Sequence, residues 1–151
     1  MNRFHAILRS GAILPEPPIP DSERWFATAD VNNLPYVRSI GGVSLFDFAG
    51  FPGWTEFGNL YPNSSLRFFV PAHRTWGTAV WIEIDRAGMN HSLIAPDALV
   101  TRWKAEHAHA RAVMPGVEAA HLGPIARIAF LRAFCVDREK GEVSRLQLTP
   151  G

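Results

Sequence analysis

The segment MPGVEAAHLGPIA, residues 114–126, constrains the fold more tightly than any other stretch of the chain. Pro and Gly stand on both sides of its apolar run, as Pro115-Gly116 and Gly123-Pro124. Proline removes a backbone donor and fixes φ, and glycine favours turns, so regular structure is interrupted at both ends. We therefore predict a short extended segment that carries one carboxylate, Glu118, and one imidazole, His121.

The spacing of Glu118 and His121 leaves two kinds of chemistry to weigh. On a strand the two side chains face opposite ways, whereas on a helix they share a face, as in half of an ExxH metal site. The flanking Pro and Gly favour the strand, and no second ExxH occurs, so no metal site is predicted. A non-catalytic interpretation stays open. In it Glu118 is a rim residue paired with an arginine, and His121 is half-buried with its hydrogen bonds satisfied.

Length and charge set the class of protein. A chain of 151 residues with 47% hydrophobic content is expected to form one domain over residues 1–151. Its 15 basic and 14 acidic side chains nearly cancel, which disfavours nonspecific attraction to nucleic acid or an anionic membrane without excluding a nucleic-acid partner. No apolar run approaches the roughly 20 residues of a membrane span, and no secretory leader is apparent. We expect no membrane association and a cytoplasmic location.

Periodicity predicts short strands mixed with a few helices. Helical spacing occurs near the N-terminus and in the segment that begins at Pro96, while alternation is clearest in TAVWIEID. The predicted helices are 2–10 and 96–112, and the predicted strands are 24–28, 42–48, 66–73, 78–85 and a C-terminal hairpin formed by 133–137 and 142–148. This pattern predicts an α+β fold, a compact single domain with a mixed, mainly antiparallel sheet and two or three helices.

Several segments, taken in order, resemble a known superfamily over most of the chain. They are FHAILRSGAILP, RWFAT, AVWIEID, VEAAHLGPI and the final hairpin. The arrangement is similar to small bacterial domains of the ADP-ribosyltransferase superfamily, of the RNA 2'-phosphotransferase and DarT-like type. The resemblance implies NAD as a substrate and a protein or nucleic-acid acceptor for the ADP-ribose group.

The resemblance also implies roles for particular residues. Glu118 takes the place of the one essential glutamate on a late strand, and Trp25, Thr28 and His121 are expected to contact NAD. Cleavage of the nicotinamide–ribose bond passes through an oxocarbenium-like state, for which one carboxylate can orient a ribose hydroxyl and help activate the acceptor.

One departure from the superfamily pattern keeps a second hypothesis open. In such families a strand with a His or Arg that anchors NAD precedes the first helix, whereas here that helix is expected to begin almost at Met1, with His5 as the one candidate substitute. Enzymatic activity is therefore left undecided. The alternative is a catalytically inactive protein-binding module or small inhibitor that uses an aromatic-rich surface around Trp54, Phe57 and Tyr61.

Overall fold

A computed structural model describes residues 1–24, 34–48, 77–89, 91–137 and 139–149. Within these ranges the chain forms three α-helices and eight β-strands, joined by turns and short 3₁₀ segments. The helices are α1 (Asn2–Ser10), α2 (Tyr36–Ser39) and α3 (Pro96–Ala105). The strands are β1 (Ala12–Ile13), β2 (Gly42–Phe46), β3 (Thr78–Ile84), β4 (Leu93–Ile94), β5 (Glu118–Leu122), β6 (Ile125–Ala126), β7 (Phe130–Asp137) and β8 (Val143–Leu146).

The strands are distributed over three sheets, ordered β2-β5-β4, β3-β7-β8 and β1-β6. Both three-stranded sheets are antiparallel throughout. The predicted α+β class with mainly antiparallel strands is confirmed. No helix among the described residues has the length and apolar character needed to cross a membrane.

Contacts divide the chain into two compact units, and each unit is discontinuous in sequence. The first contains Met1–Ala12, Pro52–Asp85 and Ala126–Gly151, and the second contains Ile13–Phe51 and Arg86–Ile125. The expectation of a single domain stays a prediction.

In the second unit, α2 and α3 cover one face of the β2-β5-β4 sheet. The buried centre of this layer is formed by Tyr36, Val37, Leu99 and Ala120. A Cβ at Gly42 would lie 2.9 Å from Cγ1 of Val37 and 3.1 Å from its carbonyl oxygen, so glycine lets α2 approach β2 closely. The close approach brings Val37 of α2 against the sheet.

In the first unit, β3, β7 and β8 form the second three-stranded sheet. The predicted alternating strand and the C-terminal hairpin are confirmed as β3 and as the β7–β8 pair. The predicted first helix is confirmed as α1, which buries Phe4 and Leu8 and ends at Gly11. Gly11 has a φ of 76°, and its N–H donates to the carbonyl of Ile7, the left-handed cap for which glycine is favoured.

The helix predicted over 96–112 is shorter in the structure, where α3 ends at Ala105. His107 adopts a φ of 52°, which takes the backbone out of the right-handed helix. Its N–H donates to the carbonyl of Lys104, and the N–H of Ala108 donates to the carbonyl of Trp103. These bonds form a Schellman motif with histidine where glycine is usual, so no glycine marks the end of this helix.

Candidate functional site

Glu118 is the first residue of β5 and is buried, with 5% of its surface exposed. In the antiparallel pairing with β2, Glu118 lies opposite Phe46 and Ala120 lies opposite Ser44. Because successive side chains on a strand alternate between faces, these four residues share one face of the sheet. The carboxylate therefore lies on the face that α2 and α3 cover around Ala120.

Both oxygens of the Glu118 carboxylate accept hydrogen bonds. The Ser44 hydroxyl donates to Oε1 at 2.6 Å, and the backbone N–H of Met114 donates to Oε2 at 2.8 Å. In return, the backbone N–H of Glu118 donates to the carbonyl of Met114 at 3.0 Å. The carboxylate thus closes the turn before β5, in which Gly116 has a φ of 81°. The open alternative paired Glu118 with an arginine. In the structure its hydrogen-bond donors are instead the Ser44 hydroxyl and the Met114 backbone amide.

His121 lies on the opposite face of β5, as the strand spacing predicted. It is level with Val43 on one neighbouring strand and Leu93 on the other. Its Nδ1 lies 3.1 Å from the carbonyl oxygen of Gly123, and since a carbonyl only accepts, Nδ1 carries the proton and donates. His121 is half-buried with this hydrogen bond made, which agrees with the non-catalytic interpretation of this residue. The strand therefore does not bring Glu118 and His121 to one site.

The other residues implied by the resemblance, Trp25 and Thr28, lie outside the described residues. The same holds for the aromatic group Trp54, Phe57 and Tyr61.

A second group of polar side chains, which the sequence did not predict, lies between α2 and the segment after α3. The Tyr36 hydroxyl donates to Oε2 of Glu106 at 2.8 Å, and Nε of Arg102 donates to Oε1 at 2.7 Å. The Arg102–Glu106 pair has the i, i+4 spacing of a helical ion pair and could have been found from sequence. Tyr36 lies 70 positions before Glu106 in the chain, and no local sequence pattern indicates the contact between them.

The pKa values in this group follow from its burial and hydrogen bonds. Burial, and then the hydrogen bond to Glu106, raise the pKa of Tyr36 to about 12. The hydrogen bonds from Arg102 and then Tyr36 hold the pKa of Glu106 below its ordinary value. At neutral pH the group is therefore a neutral phenol, a carboxylate and a guanidinium.

This group borders an open pocket of about 440 Å³, lined in part by Tyr36, Ser39, Glu106, His107 and Arg111. Tyr36 is buried at 1% exposure, whereas Ser39, Glu106 and His107 are exposed and Arg111 is half-buried. The pocket therefore has a buried phenol and a polar, solvent-accessible rim. Its volume falls within the range of ordinary small-molecule sites.

Comparison of the chain with protein-family models, with curated proteins and with solved structures finds no match in any of the three.

Proposed function

We propose that this protein is an NAD-dependent transferase that resembles the ADP-ribosyltransferase superfamily, with Glu118 as its catalytic carboxylate. The observation that carries the proposal is the fixed carboxylate at the start of β5, held by Ser44 on one oxygen and by the Met114 amide on the other. A carboxylate with both oxygens held has one orientation, which is what a positioned acid–base group requires.

The two hydrogen bonds leave Glu118 with acceptor capacity for a substrate. A carboxylate offers about four acceptor positions, and Ser44 and Met114 occupy one on each oxygen. A ribose hydroxyl can donate to a remaining position, so the carboxylate both orients the sugar and stabilises the positive charge that develops on it.

Access to this carboxylate is supported by the exposure of Ser44. Glu118 itself is buried, but Ser44, whose hydroxyl lies 2.6 Å from Oε1, is exposed on β2. A substrate that contacts Ser44 therefore lies one side chain away from Oε1.

In the proposed reaction the bond between nicotinamide and the ribose C1 breaks, and nicotinamide leaves with the bonding electron pair. A bond forms between C1 and an oxygen or nitrogen of a protein or nucleic-acid acceptor, and the acceptor's proton passes to Glu118. Trp25 and Thr28 are proposed contacts for NAD on the strength of the resemblance alone. His121, on the other face of β5, has no part in this step.

The test combines calorimetric titration of the full chain with NAD and an assay of nicotinamide release. Glu118→Gln keeps the size of the side chain and removes its charge, while Glu142→Gln makes the same change at an exposed glutamate and serves as the matched control. We expect wild type and E142Q to bind NAD and release nicotinamide, and E118Q to bind NAD with release reduced at least about 100-fold. Trp25→Ala is expected to weaken binding.

Three outcomes are distinguishable. Undiminished nicotinamide release by E118Q refutes the catalytic role of Glu118. Binding of NAD without any release by wild type refutes the proposed catalysis and leaves a nucleotide-binding role alone. Absence of NAD binding by a folded wild-type chain refutes the NAD-dependent function as a whole.

A further inference from the structure

We propose that the pocket between α2 and residues 106–111 binds a small anionic ligand through a carboxylate or phosphate group held by Arg111, with His107 as a second contact at the rim. This site is separate from Glu118, and the inference does not rest on the proposed transferase function.

Among the described side chains at the pocket, the two guanidinium groups of Arg102 and Arg111 outnumber the one carboxylate, that of Glu106. Arg102 donates to Oε1 of Glu106 at 2.7 Å, so those two opposite charges compensate each other. The Tyr36 hydroxyl, which is neutral at physiological pH, donates to the other oxygen of the same carboxylate. Arg111 is a further positive charge on the lining, which therefore favours a ligand of opposite sign.

The backbone of Arg111 is fixed at two points. Its N–H donates to the carbonyl of Ala108 at 2.9 Å, and its carbonyl accepts from Nε1 of Trp103 at 3.0 Å. Trp103 and Ala108 both pack against the buried cluster of the second unit. The backbone that carries the Arg111 side chain is therefore fixed before a ligand arrives, which reduces the backbone entropy lost on binding.

The guanidinium of Arg111 retains donors for a ligand. Among the described residues its hydrogen bond is from Nη1 to the carbonyl of Leu34, at 3.4 Å, which is longer than the usual range for such bonds. Guanidinium has several N–H donors in a planar fork that fits the two oxygens of a carboxylate or phosphate. A ligand oxyanion can therefore be bound at little cost in existing contacts.

His107 adds a second polar group at a position where glycine would be more favourable for the backbone. Its φ of 52° lies in the left-handed region that non-glycine residues rarely adopt, and its imidazole is exposed on the pocket lining. Such backbone strain recurs at ligand sites, where the side chain serves binding. The imidazole offers a nitrogen donor on the same pocket lining as Arg111.

The test is titration of the ¹⁵N-labelled full chain with sodium phosphate and, separately, with sodium succinate at constant ionic strength, followed by backbone amide shifts. We expect saturable shifts around Tyr36 and residues 106–111 with one of the two probes, at millimolar Kd. Saturation by phosphate alone identifies a phosphate-bearing ligand, and saturation by succinate alone identifies a carboxylate. Absence of saturation with both probes overturns the proposal.

Variants then locate the binding group. Arg111→Gln is expected to weaken binding about tenfold or more, and Arg111→Lys, which keeps the charge but loses the planar fork, by a smaller factor. Arg127→Gln, at an exposed arginine of the first unit, is the matched control and should bind as wild type does. Unchanged affinity of R111Q, or equal losses in R111Q and R127Q, would overturn the assignment.

In His107→Gly, weaker anion binding cannot be explained by loss of folding, because glycine is favoured at a left-handed position. We expect this variant to remain folded and to bind the same anion a few-fold more weakly. Affinity equal to that of wild type would remove His107 from the site. E118Q should leave anion binding unchanged, so a failure here is distinguishable from a failure of the transferase proposal.

Discussion

Ser44 on β2 and Glu118 on β5 are joined by a 2.6 Å hydrogen bond, although 74 positions separate them in the chain. The second oxygen of Glu118 accepts from the Met114 amide, so one carboxylate connects the edge strand, the central strand and the turn before it. The contacts of Glu118 therefore stabilise the fold as well as provide the fixed group of the proposed reaction.

Truncation of Glu118 is expected to lower the free energy of unfolding more than truncation of Ser44, its hydroxyl partner. Glu118→Ala leaves the half-buried Met114 amide without its acceptor and also removes a buried side chain, so it should lower the free energy of unfolding by about 2–3 kcal/mol. Ser44→Ala removes one of the two donors to the buried carboxylate, but the Met114 amide bond remains and position 44 is exposed to water, so it should cost about 1 kcal/mol. Urea denaturation of both variants measures the difference, and equal losses would contradict the structural role of the carboxylate.

The raised pKa of Tyr36 predicts a loss of stability at high pH. The folded value of about 12 exceeds the ordinary value of 10.0, so the unfolded chain releases this proton first. The contribution is fully present below pH 10 and is lost as pH rises towards 12, with a total of roughly 3 kcal/mol. Denaturant titrations across this range measure the effect.

Tyr36→Phe is the control for that titration, because it keeps the buried ring and removes the ionisable hydroxyl. Its free energy of unfolding should be about 1 kcal/mol lower than that of wild type at neutral pH, since the bond to Glu106 is lost. Its decline between pH 10 and 12 should be smaller than that of wild type. The same decline in both proteins would show that other groups cause it.

Glycine at position 107 should stabilise the protein. His107 occupies the left-handed position of the Schellman motif after α3, where an L side chain carries a penalty of about 1 kcal/mol. H107G is expected to raise the free energy of unfolding by roughly that amount. His107→Ala removes the imidazole but keeps a Cβ, so it should give no such gain, and thermal melts of the two variants compare them directly.

A methyl group at position 42 should be poorly tolerated. In Gly42→Ala the new Cβ would meet Val37 at 2.9 Å, closer than carbon atoms pack, so α2 must move away from β2. We expect a loss of about 1–3 kcal/mol, as for other overpacked sites. Gly77→Ala is the matched control because, among the described residues, no heavy atom lies within 4 Å of the added Cβ. An equal loss there would contradict the steric explanation.

Local sequence patterns predicted the elements whose residues interact mainly with their neighbours in the chain. The cap at Gly11, the alternation of β3 and the bracketed strand β5 were all visible because turn residues and strand spacing act locally. The opposite faces of Glu118 and His121 followed from the same two-residue period.

Long-range contacts and one unusual backbone position explain what the sequence did not predict. The end of α3 was missed because histidine replaces glycine at the left-handed position 107. The pocket was missed because Tyr36 and Glu106 meet only when α2 and α3 pack on the same sheet. The division of strands among three sheets likewise depends on pairing between distant segments, which a propensity does not encode.

The discontinuous make-up of the two units affects the order in which the chain can fold during synthesis. On the ribosome β2 emerges long before β5, the strand that separates it from β4, and β3 emerges well before its partner β7. Because translation proceeds from the N-terminus, neither sheet can close until most of the chain has left the exit tunnel. Nascent β2 and β3 thus remain unpaired through much of translation, when binding by a chaperone would protect their edges.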